Sequence, residues 1–296
     1  MFQSISRGFG FLGQAMDMAR KDGDLIKPSL YGMVVGAIVS LVGAIPIIAV
    51  AVLSGGTDIG NFVLFVLGAI LIFAQYAVAY IFSGMTAYLV YGFVAEGDGR
   101  MDKAWEVVQR DWLDILSLAA ASTVVKLVEN ALRGRGNRRN LLGGMLAGLL
   151  ERVWTTATYF ILPIMVIEDL SLFPAVKRAT EIVKKNLLLV AVTEIGVSGV
   201  VGLVGFILVV IAVGIGVGIF AAFSALGSTG AIIGAGAAVL VAGTLIALVS
   251  AFSSYVTTAY HTCMFLWARD AERAVEAGQS LQSVRVPAPV AAVLAG

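Results

Sequence analysis

Long apolar segments alternate along the chain with shorter amphipathic or polar segments. Four of them are long enough to cross a membrane, at residues 30–53, 62–94, 187–223 and 231–267. A hydrocarbon core of about 30 Å takes about 20 residues of helix, so this pattern predicts transmembrane helices. Two shorter apolar stretches with charged flanks lie within residues 112–167 and are predicted as two further spans, on the repeat described next.

A short motif recurs before three pairs of apolar segments. Two apolar or small residues precede two polar, mostly basic ones, and the motif ends at Asp22, Asp111 and Asn186. Before the first motif, apolar residues recur at three- and four-residue spacing: Phe2, Ile5, Phe9, Leu12, Met16 and Ala19. This spacing is typical of an amphipathic helix in the membrane interface. The recurrence predicts the same helix three times.

The chain is therefore predicted to be an all-α, polytopic integral membrane protein. Six transmembrane helices form three tandem hairpins, each preceded by an interfacial amphipathic helix. Residues 1–270 would form a single membrane domain, and residues 271–296 a C-terminal cytoplasmic tail. The repeat units are predicted at about 1–96, 97–168 and 169–270.

The placement of Lys and Arg predicts the orientation. With six spans, most basic residues fall on the side of the termini, and only the Arg-rich loop within residues 133–139 falls on the other side. Both termini are therefore predicted to be cytoplasmic. In the alternative topology, residues 112–167 form a cytoplasmic or re-entrant hairpin, which brings the Arg-rich loop to the same side. Polar residues at helical spacing within 111–129 favour this alternative.

The composition indicates a lipid environment and excludes several function classes. Of 296 residues, 59% are hydrophobic and 13% are charged, and the mean hydropathy is +0.95. Soluble proteins have about 45–50% apolar and about 25% charged residues. One Cys and one His exclude an internal disulfide and a structural zinc site, so no metal or cofactor is predicted. The net charge of +1 gives no sign of nucleic-acid binding.

An acid and several hydroxyl groups at membrane depth are candidates for a solute pathway. Glu194 is the lone acid in residues 187–267, which contain no Lys or Arg. Burying an acid costs about 2.5–3.5 kcal/mol, so Glu194 is either a cation or proton site or a structural acid near the interface. Other polar groups concentrate in the second halves of the even-numbered spans: Thr86, Thr156, Ser254, Thr257, Thr258 and His261. They line a cytoplasm-facing cavity if the units surround an axis, or else they bond neighbouring helices to each other.

Two further sets of residues are predicted to hold the helices together. In the middle hairpin, Glu151 is expected to pair with Lys126 as a structural lock. Arg152 is expected to pair with Glu129 in the same lock. Glycines at every third position let helix backbones approach closely. They are Gly196, Gly199, Gly202 and Gly205. Packing inside the protomer is predicted for them, with a homo-oligomer interface or a flexible break, such as a gate, as the alternative.

Residues 159–186 read YFILPIMVIEDLSLFPAVKRATEIVKKN, in which Leu-Pro, a few aliphatic residues and Glu-Asp precede an amphipathic basic helix. This stretch resembles a group of uncharacterised prokaryotic polytopic membrane proteins, distantly similar to the membrane domain of glycerophosphoryl diester phosphodiesterases. Residues 11–47 and the closing YVTTAYHTCMFLWA are similar to the ends of that group. His261 and Thr262 stand where the group often has a basic residue. The resemblance implies a helical membrane fold without an established activity, and the phosphodiesterase chemistry belongs to a separate soluble domain.

Together these patterns predict a non-enzymatic protein of a prokaryotic plasma membrane, since the sequence shows no nucleophile–base constellation. The first hypothesis is a pore- or permease-like protein with a cytoplasm-facing polar cavity. The alternative is a structural or accessory subunit of a homo- or hetero-oligomeric membrane assembly without transport activity. Besides the lipid bilayer, the expected partner is a second copy of the chain or another membrane protein.

Overall fold

The computed structural model confirms the all-α class for the part of the chain that it describes. It describes residues 2–134, 141–185, 187–279, 287 and 291, and only the backbone of residues 2–7, 134, 141–142, 183, 185 and 187–198. The helices are α1 (Phe2–Lys21), α2 (Lys27–Ser54), α3 (Asp58–Glu96), α4 (Met101–Arg110), α5 (Trp112–Gly134), α6 (Leu141–Glu168), α7 (Leu172–Lys185), α8 (Leu187–Ser224) and α9 (Ser228–Glu276). A 3-10 turn at Gly23–Leu25 joins α1 to α2.

A short helix followed by two long helices occurs three times in this order. Six helices, namely α2, α3, α5, α6, α8 and α9, are long and apolar enough to cross a membrane. Within each pair the two long helices pack along each other, and α3 and α9 also contact each other and α6. The described chain therefore agrees with the predicted all-α class and with six long apolar helices.

Local signals fix where the helices begin and end. Thr57 precedes α3, and its hydroxyl accepts a hydrogen bond of 3.0 Å from the backbone N–H of Gly60, which satisfies an otherwise free helix donor. At the other end of α3, Gly97 has a φ of +84°, which glycine adopts without strain. Asp22 accepts hydrogen bonds from the backbone N–H groups of Asp24 and Gly99, at 2.9 and 2.6 Å. The motif residue thereby joins the turn before α2 to the loop after α3.

The buried core lies at the end of the bundle that carries α1, α4 and α7. These three short helices pack against the second halves of α3, α6 and α9 and against the start of α5. At the opposite end, α2, α8 and the first halves of α3 and α9 expose large apolar side chains, among them Leu41, Val52, Phe62 and Leu240. Apolar side chains on the outside and a packed core at one end are expected of helices whose outer surface faces lipid.

The last helix is longer than the sequence predicts. α9 continues through residues 271–276, which the sequence analysis assigns to the tail, and ends at Glu276. The extension is held because Ala271 and Ala274 are buried against the rest of the core end. Most of the remaining tail lies outside the described residues.

Candidate functional site

A cavity of about 400 Å³ lies between α3, α6 and α9, next to the buried core. Hydroxyl groups from all three helices line it: Ser83, Thr155, Thr158, Ser253, Ser254, Thr257 and Thr258. Each of the three predicted repeat units contributes its second long helix to this wall. Helices from separate parts of the chain therefore bring their hydroxyl clusters to one place.

Four aromatic side chains complete the lining of the cavity. Tyr76 and Tyr80 stack on each other with ring centroids 5.7 Å apart. Trp154 and Tyr159 contribute from α6, and the ring of Tyr159 stacks on His261 at 4.3 Å. The cavity thus combines hydroxyl groups with flat apolar rings, the usual mixture in a site for a small molecule.

A second space of about 220 Å³ adjoins the cavity, between α2, α3 and α9. The two spaces share Ala79, Ser83 and Ser254 in their linings, so they lie side by side. Gln75 borders the second space, and its Nε2 donates hydrogen bonds to the carbonyl of Gly36 and to a hydroxyl on α2. The polar surface therefore extends from α6 across α9 and α3 to α2.

A hydrogen-bonded node on three helices holds one wall of the cavity. The indole N–H of Trp154 donates to the hydroxyl of Ser122 at 2.9 Å. The hydroxyls of Tyr80 and Ser122 share a hydrogen bond of 2.7 Å. Ser122 is completely buried in α5, so the node fixes α3 and α6 against α5. Because one indole N–H and one phenol are engaged there, the rings keep a defined position beside the cavity.

The core closes the cavity toward the short helices. From Ser83 toward the core end, residues 84–87 of α3 are buried, as are residues 160–166 of α6 and 258–266 of α9. The exposed lining residues Ala79, Thr155 and Ser254 instead lie toward the outside of the bundle. Packed side chains therefore fill the end of the bundle that carries the short helices, and the prediction of a cytoplasm-facing cavity stays a prediction.

The structure divides the predicted pathway residues. Ser254, Thr257 and Thr258 line the cavity. Thr86 is fully buried below it and donates a hydrogen bond to the carbonyl of Phe82. His261 is also buried, with Nδ1 2.7 Å from the carbonyl of Thr257. These two groups belong to the core, and Thr156 is absent from the described lining.

Some predicted residues lie outside what the structure describes, and two predicted glycines of α8 do not pack against another helix. Glu194 and Gly196 lie in the part of α8 of which only the backbone is described. A Cβ added at Gly199 or Gly202 would meet no atom within 4 Å, and both residues are exposed. The prediction that these two glycines pack inside the protomer is therefore wrong. Gly205 does approach α9, since a Cβ added there would lie 3.5 Å from the hydroxyl oxygen of Ser253.

Four charged residues form a network between α5 and α6. The side chain of Glu129 is 3% exposed. Its carboxylate forms ion pairs with the ammonium of Lys126 at 2.9 Å and the guanidinium of Arg133 at 2.7 Å. Glu151 lies 2.7 Å from Arg133 and 3.7 Å from Lys126, the partner that the sequence analysis expects. Arg152 does not pair with Glu129 as expected. It is exposed and forms no ion pair within the described chain, because its side chain points about 100° away from that of Glu151 on α6.

Neutralising Glu129 should loosen the middle hairpin. Glu129→Gln removes the charge that two cations share in a buried position, and we expect a loss of about 1.5 kcal/mol, the lower range for hydrogen bonds to charged groups. Thermal unfolding in detergent measures the change. Arg152→Gln, one residue from Glu151 but outside the network, is the matched control and should leave the unfolding temperature unchanged. Equal unfolding temperatures for the two variants would contradict the network.

The cavity contains no charged side chain among its described lining residues. Nor does the described part of the chain bring together three or more His, Cys, Asp or Glu residues that could hold a metal ion. The described lining offers hydrogen bonds and aromatic surfaces.

Comparison with known protein families gives a match over most of the chain. Residues 66–274 match the family model described as a family of unknown function, DUF6159. The match agrees with the predicted resemblance to an uncharacterised family, and it shows no link to the phosphodiesterase membrane domains. No curated protein matches the chain.

Proposed function

The chain belongs to the DUF6159 family, and from that premise we propose that it is an integral membrane protein of the pore or permease type. A small polar solute would occupy the cavity between α3, α6 and α9. The observation that carries this proposal is the convergence of hydroxyl groups from one helix of each predicted unit on one cavity whose described lining carries no charge. Secondary transporters place their substrate sites where structural repeats meet, which supports the same reading.

The hydroxyl groups of the cavity are available for a solute. Those of Ser83, Ser254 and Thr257 have no hydrogen-bond partner within the described part of the chain, although neighbouring Ser250 and Thr262 bond to carbonyls of their own helix. Polar groups at membrane depth are costly unless water, protein or a ligand satisfies them. Water or a solute in the cavity would meet this need.

From the cavity to its N-terminus, α6 of the middle hairpin is shorter than α3 and α9. At 1.5 Å per residue, α3 rises about 38 Å from Ser83 to Asp58 and α9 about 39 Å from Ser254 to Ser228, whereas α6 rises only about 21 Å from Thr155 to Leu141. We therefore propose that α2, α3, α8 and α9 span the bilayer and that α5 and α6 form a re-entrant hairpin. In that arrangement the Arg-rich loop does not reach the external compartment, which agrees with the positive-inside rule.

Cysteine labelling tests this topology. In a Cys263→Ala background, Asn137→Cys in the loop between α5 and α6 should react with a membrane-impermeant maleimide only after the cells are permeabilised. Asp58→Cys, at the start of α3, is the control and should react in intact cells. Reaction of Asn137→Cys in intact cells would establish the six-span alternative.

Solute uptake into vesicles tests the function. Purified protein in phosphatidylethanolamine–phosphatidylglycerol vesicles should accelerate uptake of at least one member of a panel of small neutral and charged solutes, followed by light scattering. Ser254→Trp fills the cavity and should remove this uptake. Thr244→Trp is the matched control, because Thr244 is exposed on the same helix and its hydroxyl bonds to the carbonyl of Leu240. The proposal fails if no solute enters faster than in protein-free vesicles.

One observation favours assembly with a second copy as another role. The exposed and unpacked positions Gly199 and Gly202 leave a strip of bare backbone on α8. Such strips let transmembrane helices associate closely. The proposal is that two α8 helices pack together through this strip.

Disulfide trapping tests the assembly. The native Cys263 is buried, so a Cys263→Ala background leaves only the introduced thiol. We expect Gly202→Cys to form a cross-linked dimer in native membranes under mild oxidation. Leu208→Cys, exposed on another side of α8, should not cross-link. A monomer in both cases would remove the strip as an interface.

A further inference from the structure

We infer that the solute of the cavity is a neutral, hydroxyl-rich small organic molecule, such as a polyol or a monosaccharide. The inference rests on the proposed function and names the substrate class of the same site. Three properties of the cavity lead to it: the absence of charge, the hydrogen-bonding capacity and the aromatic surfaces.

The lack of charged groups in the described lining argues against an ion as the preferred solute. No described residue that lines the cavity or the adjoining space is charged. The nearby charges of the α5–α6 network satisfy one another, with Glu129 and Glu151 each in contact with Lys126 and Arg133. An ion in the cavity would therefore lose its hydration without meeting a counter-charge, which is unfavourable.

The hydrogen-bonding groups suit a polyol. A hydroxyl group both donates and accepts, so Ser83, Ser254 and Thr257 can bond to solute hydroxyls in either direction. A solute that carries a hydroxyl on each carbon matches a wall of hydroxyls on three helices.

The aromatic rings supply the apolar part of the site. Tyr76 and Tyr80 are nearly parallel, at 18° to each other, and Tyr159 is backed on one side by the stacked ring of His261. Polyols and sugars present C–H surfaces between their hydroxyls, and flat rings cover such surfaces. The volume of about 400 Å³ lies at the lower end of the range for small-molecule sites, about 300–1,000 Å³, so it favours a small solute over an oligosaccharide.

Comparison of solutes in the same vesicles tests the class. Xylitol and glucose should enter wild-type vesicles faster than protein-free ones, whereas potassium ions, detected with an enclosed dye, should not. Thr257→Val removes one hydroxyl at nearly constant shape and should slow xylitol uptake roughly tenfold, the effect of about one lost hydrogen bond to a ligand. Thr244→Val is the control and should leave the rate unchanged.

The outcomes separate the inference from the proposed function. Uptake of xylitol or glucose that Thr257→Val slows, without potassium uptake, supports the inference. Protein-dependent potassium uptake without polyol uptake overturns the neutral class while the pathway stands. Uptake of neither solute class overturns the pathway and the inference together. Equal xylitol rates for wild type and Thr257→Val would overturn the role of the hydroxyl wall.

Discussion

Replacement of Phe11 by alanine should lower the free energy of unfolding by about 3–5 kcal/mol, the usual cost of a buried Phe→Ala change. Phe11 is fully buried where α1 meets α9, and its ring meets the edge of Tyr260 at 5.1 Å. A few residues on, the hydroxyl of Tyr255 donates to the carbonyl of Ala15 at 2.9 Å. Loss of the ring should therefore detach α1 from the core.

The neighbouring Phe9 provides the control for this prediction. It lies on the same helix but is 48% exposed, so Phe9→Ala should change stability little. Unfolding by heat or denaturant, followed by circular dichroism in detergent, measures both variants. Similar losses for Phe9→Ala and Phe11→Ala would show that α1 is held by its general apolar character rather than by this contact.

Replacement of Arg178 by methionine should cost about 2–3 kcal/mol, because hydrogen bonds to charged groups are worth that much when partly buried. Arg178 of α7 contacts Glu272 of α9 at 2.6 Å and Glu168 of α6 at 3.4 Å. Partial burial alone would lower the pKa of its guanidinium, but the hydrogen bond to Glu272 and the charge of Glu168 outweigh it and raise that pKa. Arg178 thus stays charged and joins three helices at the core end.

Lys177→Met is the matched control for Arg178→Met. Lys177 precedes Arg178 on α7 but is exposed, so its loss removes the same charge without the contacts. The unfolding temperature should fall for Arg178→Met and stay within error for Lys177→Met. If both variants unfold at the wild-type temperature, the interaction between α6, α7 and α9 does not contribute to stability.

The sequence predicts the helices well and their buried faces less well. Membrane-length apolar segments and the recurrent motif place nearly every helix. The side of α1 that faces the core is not predicted correctly. Phe9 and Met16, at the predicted helical spacing, are exposed. The buried residues are instead Phe11, Ala15 and Met18. An interfacial helix meets both protein and lipid with apolar residues, so spacing alone does not tell its two apolar faces apart.

The candidate site shows the same limit. Hydroxyl clusters in one chain region predict that Ser254, Thr257 and Thr258 have a common role, and these residues do line one cavity. Tyr76, Tyr80 and Trp154 were not among the predicted residues, because the side of a span that faces a cavity depends on contacts between helices far apart in sequence. Arg133 was also missed, although it stands four residues after Glu129, a spacing that favours ion pairs on a helix and could have identified it as the partner.

The central claim is that water reaches the cavity between α3, α6 and α9, and thiol labelling tests it most directly. In the Cys263→Ala background, Ser254→Cys and Thr257→Cys line the cavity, whereas Thr244→Cys is exposed on the apolar part of α9. A charged methanethiosulfonate reagent reacts only with thiols in water. The structure predicts rapid modification of Ser254→Cys and Thr257→Cys in reconstituted vesicles and none of Thr244→Cys. Protection of all three positions would contradict a hydrated cavity and with it the proposed pathway.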